Sequence, residues 1–233
     1  MIDLQHAFES PTLKHWLGTD PYGTDLGARL FSGAAISFTT AISVTLITMS
    51  VGIFIATLTA LAPRMAAGFL RRIIDAFLAF PGLLLAILLA SVMPPSNSTV
   101  IFALSITGWA AHARLFTALI KNTLTFPYIE AARASGATSS HIIVRHVWPS
   151  LFAQIFVQAL FSMAHAILGE ASLSFLGMGG PVDSPSWGRL IAEGRQYLVE
   201  APHLSIVPGL ALMIVLFSIY FAATKMQNRM KLG

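Results

Sequence analysis

The chain has 233 residues, of which 55% are hydrophobic and only 10% are charged. Soluble domains carry about 25% charged residues, so this composition excludes an ordinary soluble domain of the same size. The net charge is +4, but lysine and arginine are not clustered among aromatic residues, which argues against nucleic-acid binding. The absence of cysteine excludes disulfides, cysteine-ligated zinc, iron–sulfur clusters and a lipid-modified cysteine.

The N-terminal part of the chain predicts an outer segment over 1–29, followed by a first membrane span. The first ten residues include acids and lack the apolar stretch of a signal peptide. No charge occurs from Leu30 to Pro63, so we predict a span over about 33–62. Gly52 and Ala56 lie four residues apart within this span, a spacing that allows another helix to approach closely in lipid.

The next uncharged stretch, from Ala76 to Ala113, is too long for one span. Two prolines followed by small polar residues at 94–98 predict a turn inside it. We therefore expect two spans, over about 76–93 and 99–119. Pro81 and its neighbouring glycine are expected to kink the first of them.

The second half of the chain predicts two further spans separated by polar segments. We expect a polar loop over 122–148, a span over 149–169, an outer segment over 170–203, a span over 204–224 and a polar tail over 225–233. Ser186 is placed to cap a short amphipathic helix that begins at Trp187. Residues 30–224 would thus form an all-α polytopic membrane domain with about five transmembrane helices.

The basic residues divide unequally between the two sides that these alternating spans define. One side receives ten of them, namely Arg64, Arg71, Arg72, Arg114, Lys121, Arg133, Arg145, Lys225, Arg229 and Lys231, and the other receives Lys14, Arg29, Arg189 and Arg195. Cytoplasmic loops carry an excess of lysine and arginine. This rule places the 122–148 loop and the C-terminal tail in the cytoplasm, and the N-terminus and the 170–203 segment outside.

The first part of the 122–148 loop predicts a short helix with a surface of small residues. Thr125 and Pro127 suit its start, and Gly136 suits its end. Glu130 lies in the first turn, where the helix dipole favours a negative side chain. Such a helix fits a groove on a partner protein, although the same composition also suits an ordinary amphipathic connector between spans.

The second part of the loop predicts another short helix, from His141 to Trp148. Ser139 and Ser140 offer caps for its start. We expect it to enter the membrane at Pro149.

Five segments of the chain carry specific motifs. They are Glu130-Ala-Ala with Gly136 and Pro149, Leu17-Gly-Thr-Asp-Pro-Tyr-Gly-Thr-Asp25, Gly169-Glu-Ala-Ser-Leu-Ser-Phe-Leu-Gly177, Pro185-Ser-Trp-Gly188 with Glu193-Gly-Arg195, and Ala201-Pro202 with Pro208-Gly209. In this order, the segments resemble the inner-membrane permease subunits of ABC importers of the dipeptide/oligopeptide/nickel family. The resemblance covers nearly all of the chain from about His15 onward.

The resemblance implies a role for two of these segments. The coupling helix that seats in a cleft of a separate ATPase subunit would comprise Glu130, Ala131, Ala132, Arg133 and Gly136, with Pro149 at the end of the coupling loop. Arg133 would add a polar contact there, or would only snorkel to the membrane interface. A substrate-binding protein would dock at Pro185, Ser186, Trp187 and Gly188, unless this segment is only an interfacial amphipathic helix.

The resemblance also implies partners and a location. The partners would be ABC ATPase subunits, a second and homologous permease subunit, an extracytoplasmic substrate-binding protein and the lipid bilayer of the inner membrane. Two positions depart from the family, which commonly has arginine where this chain has Thr24 and Ala35. The family's usual first helix, which would precede residue 1, is expected to be missing.

Ionisable residues in or near the spans are candidates for functional groups by default. Glu170, Asp75 and Arg114 lie at span ends, so we expect them at the membrane interface. His112 and His165 are candidates for lining a path, against the simpler interpretation of hydrogen-bonded packing. We predict no metal site, because the methionines form no cluster with histidine at ligand spacing.

Other classes of protein are less consistent with the sequence. A Gly-Lys pair, which a phosphate-binding loop requires, is absent, so ATP and Mg²⁺ would belong to partner subunits and this chain would hold no cofactor and no catalytic residue. A self-contained secondary transporter or channel would need an internal repeat or coupling ions at broken helices. A structural assembly subunit is a third possibility. Peptides are the expected substrate, with nickel or a metal chelate as the alternative, and the sequence does not identify substrate-binding residues.

Overall fold

The computed structural model describes residues 6–180 and 184–232, and helices dominate both ranges. In chain order the α-helices are α1 (Leu26–Leu61), α2 (Arg64–Leu78), α3 (Gly82–Ser91), α4 (Asn97–Thr123), α5 (Pro127–Ala134), α6 (Ser139–Ile142), α7 (Trp148–Phe175), α8 (Trp187–Gly194) and α9 (His203–Leu232). A π-helical turn, Ile143–Val147, joins α6 to α7, and a 3₁₀ turn, Arg195–Tyr197, follows α8. Small parts of the predicted N-terminal segment, outer segment and tail, residues 1–5, 181–183 and 233, lie outside the described residues.

Four stretches of helix are long and apolar enough to cross a bilayer. They are Leu26–Leu61, Asn97–Thr123, Ser139–Phe175 and His203–Met230. The bent pair formed by α2 and α3 raises the number to five if the pair counts as one span. The predicted all-α fold with about five membrane-spanning helices is therefore confirmed.

The predicted span over 76–93 is not one straight helix. The structure instead has α2 and α3, whose axes differ in direction by 75°. Pro81 is the N-cap residue of α3, and proline both lacks an N–H and disfavours helix in the residue before it. Helix α3 has 10 residues, or roughly 15 Å, which is about half of the ~30 Å hydrocarbon thickness.

Small residues bring α1 and α4 into close contact. A Cβ atom added to Gly52 of α1 would lie 2.5 Å from His112 Cβ of α4. One added to Gly108 of α4 would lie 3.0 Å from Thr48 Cγ2 of α1. Dispersion and close backbone approach drive helix association in lipid, so these glycines hold the centre of the fold together.

The predicted helix from His141 to Trp148 does not end at Pro149. The structure has one continuous helical stretch, Ser139–Phe175, in which the exposed Pro149 is the second residue of α7. Proline cannot donate an N–H to the preceding turn and its ring crowds the carbonyl there. The π turn accommodates this by widening the helix, and the Trp148 N–H bonds to the Ile143 carbonyl five residues back.

The membrane helices also extend beyond their predicted spans, and side-chain caps set the starts of two of them. The Asp25 carboxylate caps α1 by accepting the Ala28 N–H at 2.9 Å. The Ser96 hydroxyl caps α4 by accepting the Thr99 N–H at 3.0 Å. Helices α7 and α9 likewise run past the ends of the predicted spans.

The contact between α1 and α4 predicts different outcomes for two glycine-to-alanine substitutions. Gly52→Ala inserts a methyl group against His112 and is expected to destabilise the chain by about 1–3 kcal/mol. Gly68→Ala in α2 meets no atom within 4 Å and is expected to be neutral or to stabilise by about 0.5–1 kcal/mol. Thermal unfolding of both variants in detergent measures the difference. Equal midpoints would contradict the importance of the α1–α4 contact.

Candidate functional site

Helix α5, the predicted coupling helix, has strong signals at both ends. Pro127 is its first residue and Glu130 lies in its first turn, whereas Thr125 lies just before the N-cap residue. At the other end, Gly136 has a φ of 86°, which glycine adopts without steric cost. Its N–H bonds to the Arg133 carbonyl at 2.9 Å, and the following N–H bonds five residues back at 3.1 Å, as in a Schellman motif.

One fully buried side chain attaches α5 to the membrane domain. Ile129 has a relative exposure of 0% and packs into a hydrophobic cluster, here called the inner cluster, formed by residues of α1, α4, α6, the π turn and α7. Other members of the inner cluster include Met49, Phe116, Ile120, Ile142, Ile143 and Leu151. Because close-packed interiors yield little, a displacement of α5 is transmitted to the membrane helices.

The predicted coupling residues divide between an outer surface and this buried contact. Glu130, Ala131, Arg133 and Gly136 are exposed, whereas Ala132 is half-buried and packs against the inner cluster. Within the described ranges, neither Glu130 nor Arg133 forms an ion pair. Four of the five residues thus form a low, exposed surface with two charges that form no ion pair among the described residues.

The predicted docking segment in the outer region is mostly buried. Ser186 and Trp187 have relative exposures of 3% and 4%, and the adjacent glycine is also buried. The Trp187 Nε1–H donates to the Leu30 carbonyl of α1 at 3.0 Å. A Cβ added to Gly188 would lie 2.1 Å from the Ala171 carbonyl oxygen of α7. The segment therefore anchors α8 to α1 and α7, and its side chains do not form an exposed surface.

The predicted cap by Ser186 is only partly correct. Its backbone occupies the N-cap position of α8, but its hydroxyl accepts no N–H from the helix. The Ser186 Oγ is buried and has no hydrogen-bond partner among the described residues. Packing of the neighbouring Trp187 against α1 positions the start of α8 instead.

Ion pairs connect the N-terminal segment to α8 at the outer end of the bundle. Arg29 lies 2.8 Å from an Asp20 oxygen and 2.7 Å from a Glu193 oxygen. Arg189 contacts the same glutamate at 3.0 Å. The sequence analysis missed this network, because Arg29 and Glu193 are 164 positions apart and no local pattern relates them.

A second polar contact fixes the start of α1. The Asp25 carboxylate lies 2.8 Å from His15 Nδ1 and also accepts the Ala28 N–H. The hydrogen bond from His15, followed by the one from Ala28, lowers the pKa of Asp25 below its ordinary value. This carboxylate therefore stays ionised, as the positive end of the helix dipole favours.

The ionisable residues near the span ends lie in different environments. Glu170, which we expected at the interface, is instead buried with a relative exposure of 3%. Its carboxylate accepts the Ser37 hydroxyl at 2.8 Å and the Ser174 hydroxyl at 2.6 Å, which compensates part of the cost of burial. Asp75 and Arg114 are more than half exposed and form an ion pair, as interfacial residues do.

His112 and His165 both line a cavity between α1, α3, α4 and α7, with a volume of about 430 Å³. We call it the membrane cavity; its polar lining includes Thr48, Thr107, His112, Gln158, Ser162 and His165. His112 Nε2 lies 3.1 Å from Ser162 Oγ, and His112 Nδ1 lies 3.4 Å from Gln158 Nε2. Both predicted histidines thus lie together in one cavity. The sequence analysis missed the other polar residues of the lining, which also include Ser172.

Comparison with known protein families identifies the chain. The family described as binding-protein-dependent transport system inner membrane component matches residues 49–232. The chain belongs to this family. It is accordingly a multi-pass inner-membrane permease of the ABC importer type, and a transport protein rather than an enzyme.

Two relatives illustrate the similarity. A putative peptide transport system permease protein of Brucella suis biovar 1 (strain 1330) is 38% identical over 207 residues, which is 89% of this chain and 70% of that protein. The glutathione transport system permease protein GsiD of Pectobacterium atrosepticum is 35% identical over 219 residues, or 93% of this chain and 72% of that protein.

Solved structures share the fold. An amino acid ABC transporter chain superposes with a TM-score of 0.68 at 16% identity, over 87% of this chain and 94% of that one. A chain of the MetNI methionine ABC transporter in an inward-facing conformation superposes with a TM-score of 0.66 at 20% identity, over 86% of this chain and 94% of that one. At this level of identity the likeness concerns the arrangement of helices alone.

The burial of Trp187 generates a prediction for the outer segment. Trp187→Phe removes the hydrogen bond to the Leu30 carbonyl and is expected to cost about 1 kcal/mol. Hydrogen exchange in residues 187–194 should therefore become roughly fivefold faster. Trp109→Phe is the matched control, since Trp109 packs edge-on against Phe77 and its indole N–H forms no hydrogen bond with the described residues. Unchanged exchange in Trp187→Phe would show that the bond does not hold the segment.

Proposed function

We propose that the chain is the permease subunit of an ATP-driven peptide importer and that α5 couples it to an ATPase subunit. The observation that carries the proposal is the construction of α5. This helix presents the exposed Glu130, Ala131 and Arg133 on one side and inserts the buried Ile129 into the inner cluster on the other. Exposed charges occur on any solvent-facing connector, but a helix that only connected two spans would not need the fully buried attachment of Ile129.

The proposed coupling is mechanical. ATP binding would bring two ATPase subunits together, and the cleft that holds α5 would move with them. Ile129 belongs to the same buried cluster as Phe116 of α4 and residues of α6 and α7, so these helices would follow α5 as one body. The path between this chain and a second, homologous permease subunit would then open outward. ATP and Mg²⁺ would remain on the ATPase subunits, and this chain would need no cofactor of its own.

The proposed orientation follows from charge. One end of the helix bundle carries α2, α5 and the C-terminal end of α9. This end holds most of the basic residues, which favours a cytoplasmic location for it. Arg29, Arg189 and Arg195 lie at the opposite end, on the side proposed to face outward.

Peptides are the proposed substrate, and an extracytoplasmic binding protein would deliver them. The relatives that support this choice are named as peptide, dipeptide and glutathione transport permeases. Since Ser186 and Trp187 are buried, the binding protein would contact exposed neighbours such as Tyr22, Leu198 and Val199. The predicted docking segment would act by holding these residues in place.

The first test is to purify the tagged chain from its native membrane in mild detergent and to identify what accompanies it. We expect an ATPase subunit and a second permease subunit. Recovery of the folded chain alone would favour a self-contained transporter and would remove the basis for α5 as a coupling helix.

The coupling proposal predicts a charge-specific effect at Gly136. Aspartate and asparagine both tolerate a positive φ, and apart from the two adjacent residues no described residue has an atom within 4 Å of the added Cβ. Gly136→Asp places a negative charge at the proposed ATPase interface and is expected to abolish uptake and weaken ATPase association. Gly136→Asn should retain more of both. Normal membrane insertion of both variants is the control, and normal uptake by Gly136→Asp would refute the coupling role.

The buried attachment predicts a graded effect at Ile129. Ile129→Ala leaves a cavity in the inner cluster and should destabilise it by about 2–5 kcal/mol, whereas Ile129→Val should cost about 0.5–1.5 kcal/mol. Loss of this contact is expected to lower the number of peptides imported per ATP hydrolysed. This ratio should be highest in the native chain, lower in Ile129→Val and lowest in Ile129→Ala. Equal ratios in the three proteins, measured in proteoliposomes, would mean that α5 transmits no motion through Ile129.

A further inference from the structure

The membrane cavity lies at mid-membrane depth. Its residues come from the middle of three long helices, including Thr48 of α1, Thr107 of α4 and Ser162 of α7. It opens at a surface where Gly82, Leu83 and His165 are exposed. Polar side chains open to lipid at this depth would be costly, so the opening is expected to face a water-filled path or another subunit.

Helix α7 supports this orientation with a polar stripe that runs along most of its length. The stripe consists of Gln154, Gln158, Ser162, His165, Gly169 and Ser172, which recur every three or four residues and therefore share one face. Five of these six line the membrane cavity. A face of polar and small residues along a mostly apolar helix is typical of a helix that borders a path.

Three hydroxyls of the lining use their hydrogens within their own helices and so offer only acceptors to the cavity. The Thr107 hydroxyl donates to the Ala103 carbonyl of its own helix at 3.1 Å, and the Ser172 hydroxyl donates to the Leu168 carbonyl at 2.7 Å. Each hydroxyl has thereby used its one hydrogen and retains oxygen lone pairs. The Thr48 hydroxyl likewise donates to the Val44 carbonyl of its own helix, at 2.8 Å.

His165 adds a ring nitrogen to these hydrogen-bond acceptors. His165 lies with Nδ1 2.8 Å from the Phe161 carbonyl, so Nδ1 carries the proton. In the neutral ring Nε2 is then an acceptor, and its nearest partner, the Tyr220 hydroxyl, is 3.5 Å away. No aspartate, glutamate, lysine or arginine lines the membrane cavity among the described residues.

We propose that the membrane cavity binds the substrate in transit through its N–H groups. The hydroxyl acceptors of the lining match the amide and amino N–H donors of a short peptide and make no demand on its side chains. A volume of about 430 Å³ lies within the usual range for small-ligand sites and suits a peptide of a few residues. This inference rests on the proposed function, because it takes the transported substrate to be a peptide.

A matched pair of threonine substitutions tests the proposal in the assembled transporter. Thr107→Val removes an acceptor from the membrane cavity at nearly constant volume. Thr57→Val makes the same change in α1, where the Thr57 hydroxyl also donates to a carbonyl four residues back but lies outside the cavity. Gln158→Leu removes a carboxamide from the lining, with both its carbonyl acceptor and its N–H donors.

The transporter is reconstituted in proteoliposomes with its binding protein, and dipeptide uptake and ATP hydrolysis are measured together. We expect Thr107→Val and Gln158→Leu each to lower uptake per ATP roughly threefold to tenfold, the usual range for one lost hydrogen bond. ATPase stimulation by the loaded binding protein should be retained, and Thr57→Val should behave as native. Native uptake per ATP in both cavity variants would overturn the proposal.

Two further results separate this inference from the proposed function. If the native transporter shows no ATPase stimulation and no uptake with any dipeptide, the proposed function fails before the cavity is tested. If the native transporter is active, a dipeptide with a photoreactive diazirine side chain should label peptides from α4 and α7 that border the cavity. Labelling elsewhere, or protection by Ni²⁺ in place of unlabelled dipeptide, would overturn the amide-acceptor proposal in an otherwise working importer.

Discussion

The close approach of α1 and α4 is the contact on which the rest of the structure depends. A single methyl group added to Gly52 would lie 2.5 Å from His112 Cβ, so the two helices meet almost backbone to backbone. In lipid, water expulsion does not hold helices together, and fit between surfaces must do so. Helix α7 packs on the pair and α5 is attached below it, so both candidate sites inherit their geometry from this contact.

Helix α4 connects the membrane cavity to the inner cluster that holds α5. On α4, His112 lines the membrane cavity, and Phe116 lies one turn further along in the inner cluster that holds Ile129. The two rings are 6.5 Å apart, centroid to centroid. A displacement of α5 therefore has a short, packed route to the cavity, through side chains that are both buried. The outer segment is fixed separately, by Trp187 and by the ion pairs of Arg29.

Features with local causes were predictable. Pro127, Glu130 and Gly136 mark the limits of α5 because helix starts, dipoles and positive φ are properties of a few adjacent residues. The number of spans followed from hydropathy in the same way. The two prolines behave differently. The predicted kink at Pro81 is present, as a 75° bend between α2 and α3, whereas Pro149 lies within one continuous helix, where a π turn accommodates it.

Long hydrophobic runs and turn residues were enough to establish a polytopic helical protein with a polar, glycine-terminated loop, because transfer free energy and capping act over a few neighbouring positions. Helix packing alone decided that Glu170 and Trp187 are buried, that Arg29 meets Glu193, and that Thr107 and Gln158 share a cavity with both histidines. These residues are far apart in the chain, and burial depends on which helix faces meet. Side-chain fit across the whole bundle determines which faces meet, and a local sequence pattern contains no information about it.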